Sequence, residues 1–297
     1  MNRLGVCVMS AGLVVAGSVM PAAGQTRPQT LLVTAVEKSG GEPVQELAPG
    51  DVVVREDGVA REILKVTRAT DPVLLVLIVD NSQAARRAIQ DMRLALTTFV
   101  ETFAGPHELA VVGIADRPTV LSAPTTSKAQ LKRAVERVFA QPGAGAYLLE
   151  AVLEQAKAIQ KRETGRAAII VITSQGAEFS DRPPQTVMEA IGASGATFHV
   201  IDLQDTDQAP PLNQGVRDRN VVLDRGTSET GGAREIVLAN LGLRDALQRV
   251  GRLATTQYEV VYGRPDTLIP PRRVTVSSSK PTLEVRGNVL RTNQEAR

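Results

Sequence analysis

The sequence predicts an α/β protein: an open, mostly parallel, doubly wound sheet with helices on both faces, joined to a small antiparallel β domain. Three observations carry this. The apolar runs VLLVLIV (Val73 to Val79), LAVVGIA (Leu109 to Ala115), AAIIVIT (Ala167 to Thr173) and TFHVIDL (Thr197 to Leu203) have the length and β-branched content of strands buried on both faces. The stretches between them repeat apolar residues at helical spacing. Ahead of Val73, by contrast, short β-branched runs alternate with turn signals and no helical period occurs.

The chain opens on MNRLGVCVMSAGLVVAGSVMPAAGQT, where Arg3 precedes an apolar run from Leu4 to Met20 that exits through Pro21, Ala22, Ala23 and Gly24. That is the pattern of a secretory signal peptide, expected over residues 1–24 with the cut after Gly24; an uncleaved anchor is the alternative. The expected location is therefore exported, periplasmic or extracellular, with no membrane span once the segment is removed. Cys7, the sole cysteine, would leave with it.

Residues 25–70 are expected to form the small β unit, with Ser39-Gly40-Gly41 and Asp57-Gly58 as turns between its runs. The α/β part is expected over 71–263. After Val79, residues Gln83 to Ala104 carry Ile89, Met92, Leu96, Phe99, Val100 and Phe103 at helical spacing. Thr119 to Leu121 reads as an edge strand. Ser127 to Phe139, with Ser127 as N-cap, Tyr147 to Lys161 and Gln185 to Ala193 read as helices. Residues 204–232 are rich in Asp, Arg, Gln, Pro and Gly and read as a long polar loop with at most one short helix. Arg234 to Leu253 contains a helix, and YEVVY (Tyr258 to Tyr262) reads as the last core strand. The tail, 264–297, has two short β runs, Arg272–Ser277 and Thr282–Arg286, available to complete the β domain.

Composition narrows the function. With 3% aromatic residues and a formal charge of +2, the chain lacks the stacking platforms and the field of a nucleic-acid binder. Two histidines, His107 and His199, and one cysteine exclude most zinc sites and most thiol or serine–histidine enzymes. His199, inside an apolar strand, reads as a satisfied core histidine. In a doubly wound sheet, ligands bind beyond the carboxyl ends of the strands. The first such loop is Asp80-Asn81-Ser82-Gln83-Ala84, which has no glycine and so fits neither a dinucleotide fingerprint nor a P-loop. A carboxylate followed by a hydroxyl at a strand end instead suits a hard cation held through oxygens.

The order and spacing of "GEPVQELAPGDVVVREDGVAREI", "LLVLIVDNSQ", "AAIIVITSQG", "FHVIDL", "ETGGAREI" and "ALQRVGRLATTQYEVVY" resemble the von Willebrand factor type A (VWA) domain, a Rossmann-like fold, and in particular exported bacterial VWA-related proteins with a β unit in front. The resemblance implies a metal-ion-dependent adhesion site built from Asp-x-Ser-x-Ser, a distant Thr and a distant Asp, whose metal a partner's carboxylate completes. Asp80 and Ser82 match that pattern. The second serine falls on Ala84, the threonine on Ala146 and the distant aspartate on Gln175, so two hydroxyls and one charge are missing. One carboxylate and one hydroxyl should hold Mg²⁺ very weakly, with Ser174, Glu178 and Asp116 as the candidates for rescue. No cofactor is expected. Arg86 and Arg87, near the start of the following helix, have two readings: a stand-in for the missing cation, or a solvated face.

The expectation is a non-catalytic module that docks a protein partner of unknown identity through Asp80, Ser82, Arg86, Arg87, Ser174, Gln175 and Glu178. Two other readings remain: a structural envelope protein with the VWA core as scaffold, and a metal-assisted hydrolase pairing Asp80 with Glu178 or Asp181.

Overall fold

The computed structural model describes residues 26–174, 176–204, 213–238, 242–266, 271 and 273–289; the expected signal segment lies outside the described residues. The chain begins with the strands β1 (Thr26–Glu37), β2 (Val52–Glu56), β3 (Val59–Arg61) and β4 (Ile63–Arg68). It continues as β5 (Leu74–Val79), α1 (Ile89–Phe103), β6 (Glu108–Gly113), β7 (Thr119–Thr125), α2 (Lys128–Glu136), α3 (Leu148–Arg162), β8 (Ala167–Ser174), α4 (Pro184–Ser194) and β9 (Thr197–Leu203). It closes with α5 (Gln214–Thr230), β10 (Arg234–Val237), α6 (Leu243–Thr255), β11 (Tyr258–Pro265), β12 (Val274–Ser278) and β13 (Leu283–Val289).

The central sheet has the order β10-β9-β8-β5-β6-β7. Every pair in it is parallel except β6 with the edge strand β7. Successive residues of β5 point to opposite faces: Leu75, Leu77 and Val79 pack with α1, α2 and α6, whereas Leu74, Val76 and Ile78 pack with α3, α4 and α5. Burial on both sides is what the continuous apolar runs demand. After β5 the chain builds β6 on one side and β8 on the other, so the strand order reverses at the carboxyl end of β5, where Asp80 stands.

The β part is a sandwich of two antiparallel sheets, β13-β1-β11-β4 and β12-β2-β3, over a shared core of Leu31, Val33, Val52, Val54, Tyr258, Val260, Tyr262 and Val285. The tail runs complete it: β13 pairs with β1 and β12 with β2. Within it, buried Glu56 accepts from the Tyr262 hydroxyl at 2.8 Å and pairs with Arg61 at 3.0 Å. Arg166, at the foot of the central sheet, ties the two parts by donating to the Asp71 carbonyl and to Gln257 Oε1.

Two expectations are corrected. YEVVY is not a strand of the central sheet; as β11 it lies between β1 and β4 in the sandwich. Its burial alternates, with Tyr258, Val260 and Tyr262 inward and Glu259 and Val261 half-exposed, the period of a strand with one buried face. The supposed polar loop contains α5, 17 residues long. Its inward stripe is Val216, Arg219, Leu223, Gly226 and Thr230, spaced as a helix requires but mostly small or polar. Smallness is needed there, since a Cβ on Gly226 would lie 2.7 Å from Phe198 Cδ1. Asn213 caps the helix by accepting from Val216 N–H at 2.8 Å, and Gly231, at φ 76°, ends it.

Candidate functional site

The loop after β5 is built around Asp80. Asp80 Oδ1 accepts from Ser82 N–H and Oδ2 from Ser174 N–H, both at 2.9 Å, so one carboxylate closes its own turn and clamps the end of the neighbouring strand. Asn81 does the same on the other side: its Oδ1 accepts from Ile114 and Ala115 N–H at 2.8 and 2.9 Å. A 3-10 turn, Gln83–Arg87, follows before α1, so Arg86 and Arg87 stand outside the α-helix.

Asp80 is 0% exposed, Ser82 1%, Ser174 6% and Glu178 3%. These four were expected to face a partner; the structure turns them inward. Glu178 accepts from Leu148 N–H at 3.2 Å and Ser180 N–H at 3.1 Å, which makes it the cap of α3, whose own N-cap residue, Tyr147, gives none. Burial raises the pKa of both Asp80 and Glu178, against these hydrogen bonds and the charge of Arg219. Gln175 lies outside the described residues. Arg86 and Arg87 are exposed, as is Asp116.

Two features of this end of the sheet escaped the sequence reading. The first is Arg219 of α5, which reaches across to donate to the Gly176 carbonyl at 2.8 Å. It is 3% exposed, and its charge bears on Glu178, Asp202 and Asp80 in that order. The second is aromatic. Phe139, beyond α2, and Phe179, beyond β8, are 60% and 56% exposed. Phe179 stacks on Tyr147 at 6.3 Å and lies against Gly145, where an added Cβ would strike its ring. The segment after Phe139 is pinned to the Asp80 loop by Gln141 N–H on Asn81 O and Gln83 N–H on Ala144 O. His199 is fully buried and hydrogen-bonded on both nitrogens, the satisfied core histidine expected.

Six strands in this order, with the first loop at the point of reversal, define a doubly wound α/β domain whose ligand-facing edge is the Asp80 end. Residues 75–177 match the family model of the von Willebrand factor type A domain, and the α/β part of the chain has a VWA/Rossmann-like fold. Among solved structures, proximal thread matrix protein 1 from the mussel byssus is similar at 18% identity and a TM-score of 0.50, over 67% of this chain and 50% of that one. This chain therefore spans half the length of that protein. Another structure of it, with its MIDAS motif occupied by zinc, gives a TM-score of 0.51 over 67% of this chain and 49% of that one, again at 18% identity. A von Willebrand factor type A protein from Catenulispora acidiphila is similar at 14% identity and a TM-score of 0.49, over 90% of this chain and 73% of that one. Among curated proteins none matches.

The family implies a metal ion at Asp80, and the residues present do not fit one. Both Asp80 oxygens are already engaged by backbone N–H groups. Ala84 and Ala146 offer no side-chain oxygen. Ser82 Oγ and Ser174 Oγ are buried without hydrogen-bond partners, but two hydroxyls and one carboxylate fall short of an octahedral oxygen shell. A guanidinium bearing on the same carboxylate opposes a second cation. Among the described residues no group of three or more His, Cys, Asp or Glu converges as a ligand set, and no helix is long and apolar enough to cross a membrane.

Proposed function

We propose that the chain is an exported, non-catalytic binding protein whose VWA domain docks a protein partner on the strand-end face without a metal ion. The carrying observation is that two of the chain's five phenylalanines, Phe139 and Phe179, stand exposed on the segments that follow α2 and β8, the first of which is pinned to the Asp80 loop, and that Arg86 and Arg87 are exposed in the turn after that loop. Aromatic and arginine side chains are what protein interfaces concentrate in their cores. Covering the exposed part of the two rings contributes about 2 kcal/mol, enough to make them anchors. VWA domains are commonly interaction modules in exported bacterial proteins, which supports the reading. A hydrolytic pair draws no support from Asp80 and Glu178, since both are buried and each holds two backbone N–H groups in place. The leader-like segment over residues 1–24 supports export.

The test is capture from envelope extract with the wild-type chain and with Phe139→Ser/Phe179→Ser as bait. A partner held by wild type and lost by the double variant is the expected result. Equal retention by both removes the strand-end face, and a partner lost only on disrupting the exposed sandwich residues Val59 and Leu64 would favour the structural envelope reading.

A further inference from the structure

We infer that Arg219 supplies, permanently and from inside the protein, the positive charge that a metal ion brings to this position in the family, so that the strand-end loops are assembled without metal. The geometry is specific. The first turn of α5 packs on Glu178, since a Cβ on Gly215 would lie 3.4 Å from Glu178 Cβ. The next turn places Arg219 Nη1 2.8 Å from the Gly176 carbonyl. Gly176 in turn sits directly on the Asp80 loop: a Cβ there would be 2.6 Å from Ala84 Cβ and 3.6 Å from Ser82 Oγ. The guanidinium therefore fastens the β8 loop down over the position where the family's second serine would stand.

Charge gives the contact its purpose. A buried guanidinium is tolerated only among counter-charges. Those facing Arg219 are Glu178 from the β8 loop, Asp202 from β9 and Asp80 from the β5 loop; the facing cation is Arg234 of β10, itself paired with Asp202 and Asp224. One fixed cation, held by the Gly176 carbonyl, thus lies within the field of carboxylates contributed by three separate strand ends. Arg86 and Arg87 do not fill this role, because they are exposed on the outer side of the loop. The inference deepens the metal-free part of the proposed function and uses a readout that does not involve a partner, so the two can fail separately.

The test is urea denaturation of Arg219→Met in the wild-type chain and in an Asp80→Asn/Glu178→Gln background, each with EDTA or with Mn²⁺. In the wild-type background the folding constant is expected to fall about a hundredfold, because the Gly176 carbonyl loses its donor and two buried carboxylates lose the nearby positive charge. In the neutralised background the loss is expected to be about tenfold smaller, and Mn²⁺ is expected to leave wild type unchanged. Equal losses in the two backgrounds, or stabilisation of wild type by Mn²⁺, overturn the inference. Arg219→Lys keeps the charge without the fork and is expected to retain more stability than Arg219→Met; a lysine variant no better than methionine also overturns it.

Discussion

Acid should destabilise this protein through its fully buried histidine, His199, with a contribution from half-buried His107, whose pKa burial also lowers. His199 lies in β9 with no exposed surface. Its Nδ1 accepts from Ala233 N–H at 3.2 Å, which puts the ring proton on Nε2, facing Thr197 Oγ1 at 3.2 Å. A second proton would set N–H against N–H. Burial, with a smaller push from the charge of Arg286, lowers the pKa from 6.5 to about 3. Because the folded value lies below the unfolded one, the associated stability is fully present above pH 6.5 and is lost as pH falls towards 3. The slope is about 1.4 kcal/mol per pH unit, so the step from 6.5 to about pH 5 removes about 2 kcal/mol, and the whole window about 5 kcal/mol. His199→Asn keeps an acceptor for Ala233 N–H and cannot titrate. Urea denaturation of both proteins at about pH 7 and about pH 5 should show wild type losing about 2 kcal/mol more than the variant. Parallel losses would refute the assignment, because all other titrating groups are common to the pair.

The remaining predictions concern the strand-end loops. Asn81→Ala strands two buried N–H donors, on Ile114 and Ala115, and should cost about 3 kcal/mol in chemical denaturation; a loss below about 1 kcal/mol would show that water replaces the side chain. Glu178→Ala removes the cap of α3 and should cost about 2 kcal/mol, with Glu178→Gln recovering the part due to acceptance from Leu148 N–H but not the part due to its charge beside Arg219; full recovery would mean that the charge contributes nothing there. Gly145→Ala should displace the exposed ring of Phe179 at little cost in stability while weakening partner capture, and undiminished capture would argue against that ring as an anchor. Gly232→Ala should fail to fold or melt far lower, because its Cβ would overlap the Phe198 carbonyl, which is backbone and cannot give way; a normal melt would contradict that packing.

Most of the central sheet could be read from the sequence because its strands are buried on both faces and carry unbroken apolar runs, as in β5 and β8. Ser127 was likewise legible as a cap, and it accepts from Gln130 N–H. What was hidden depends on partners distant in sequence. The inward stripe of α5 mixes Val216, Val222 and Leu223 with Arg219, Gly226, Thr227 and Thr230, the glycine fitting closely against Phe198, so the apolar signal of a buried helix is diluted. Val216, Arg219, Leu223 and Thr230 do fall at helical spacing, and reading that period would have set Arg219 facing inward. The inward turn of Glu178 and Ser174 had no local signal, since their partners are the Leu148 N–H and the Asp80 turn across the sheet end. Phe139 and Phe179 look like ordinary apolar residues until the fold leaves them uncovered.

The central claim, docking on the strand-end face without metal, is tested most directly by measuring how much partner the chain retains in EDTA and in Mg²⁺ or Mn²⁺. Equal retention under all three conditions is the predicted result. Retention that requires the divalent ion, and that Asp80→Ala abolishes, would contradict it and restore the adhesion mechanism of the family.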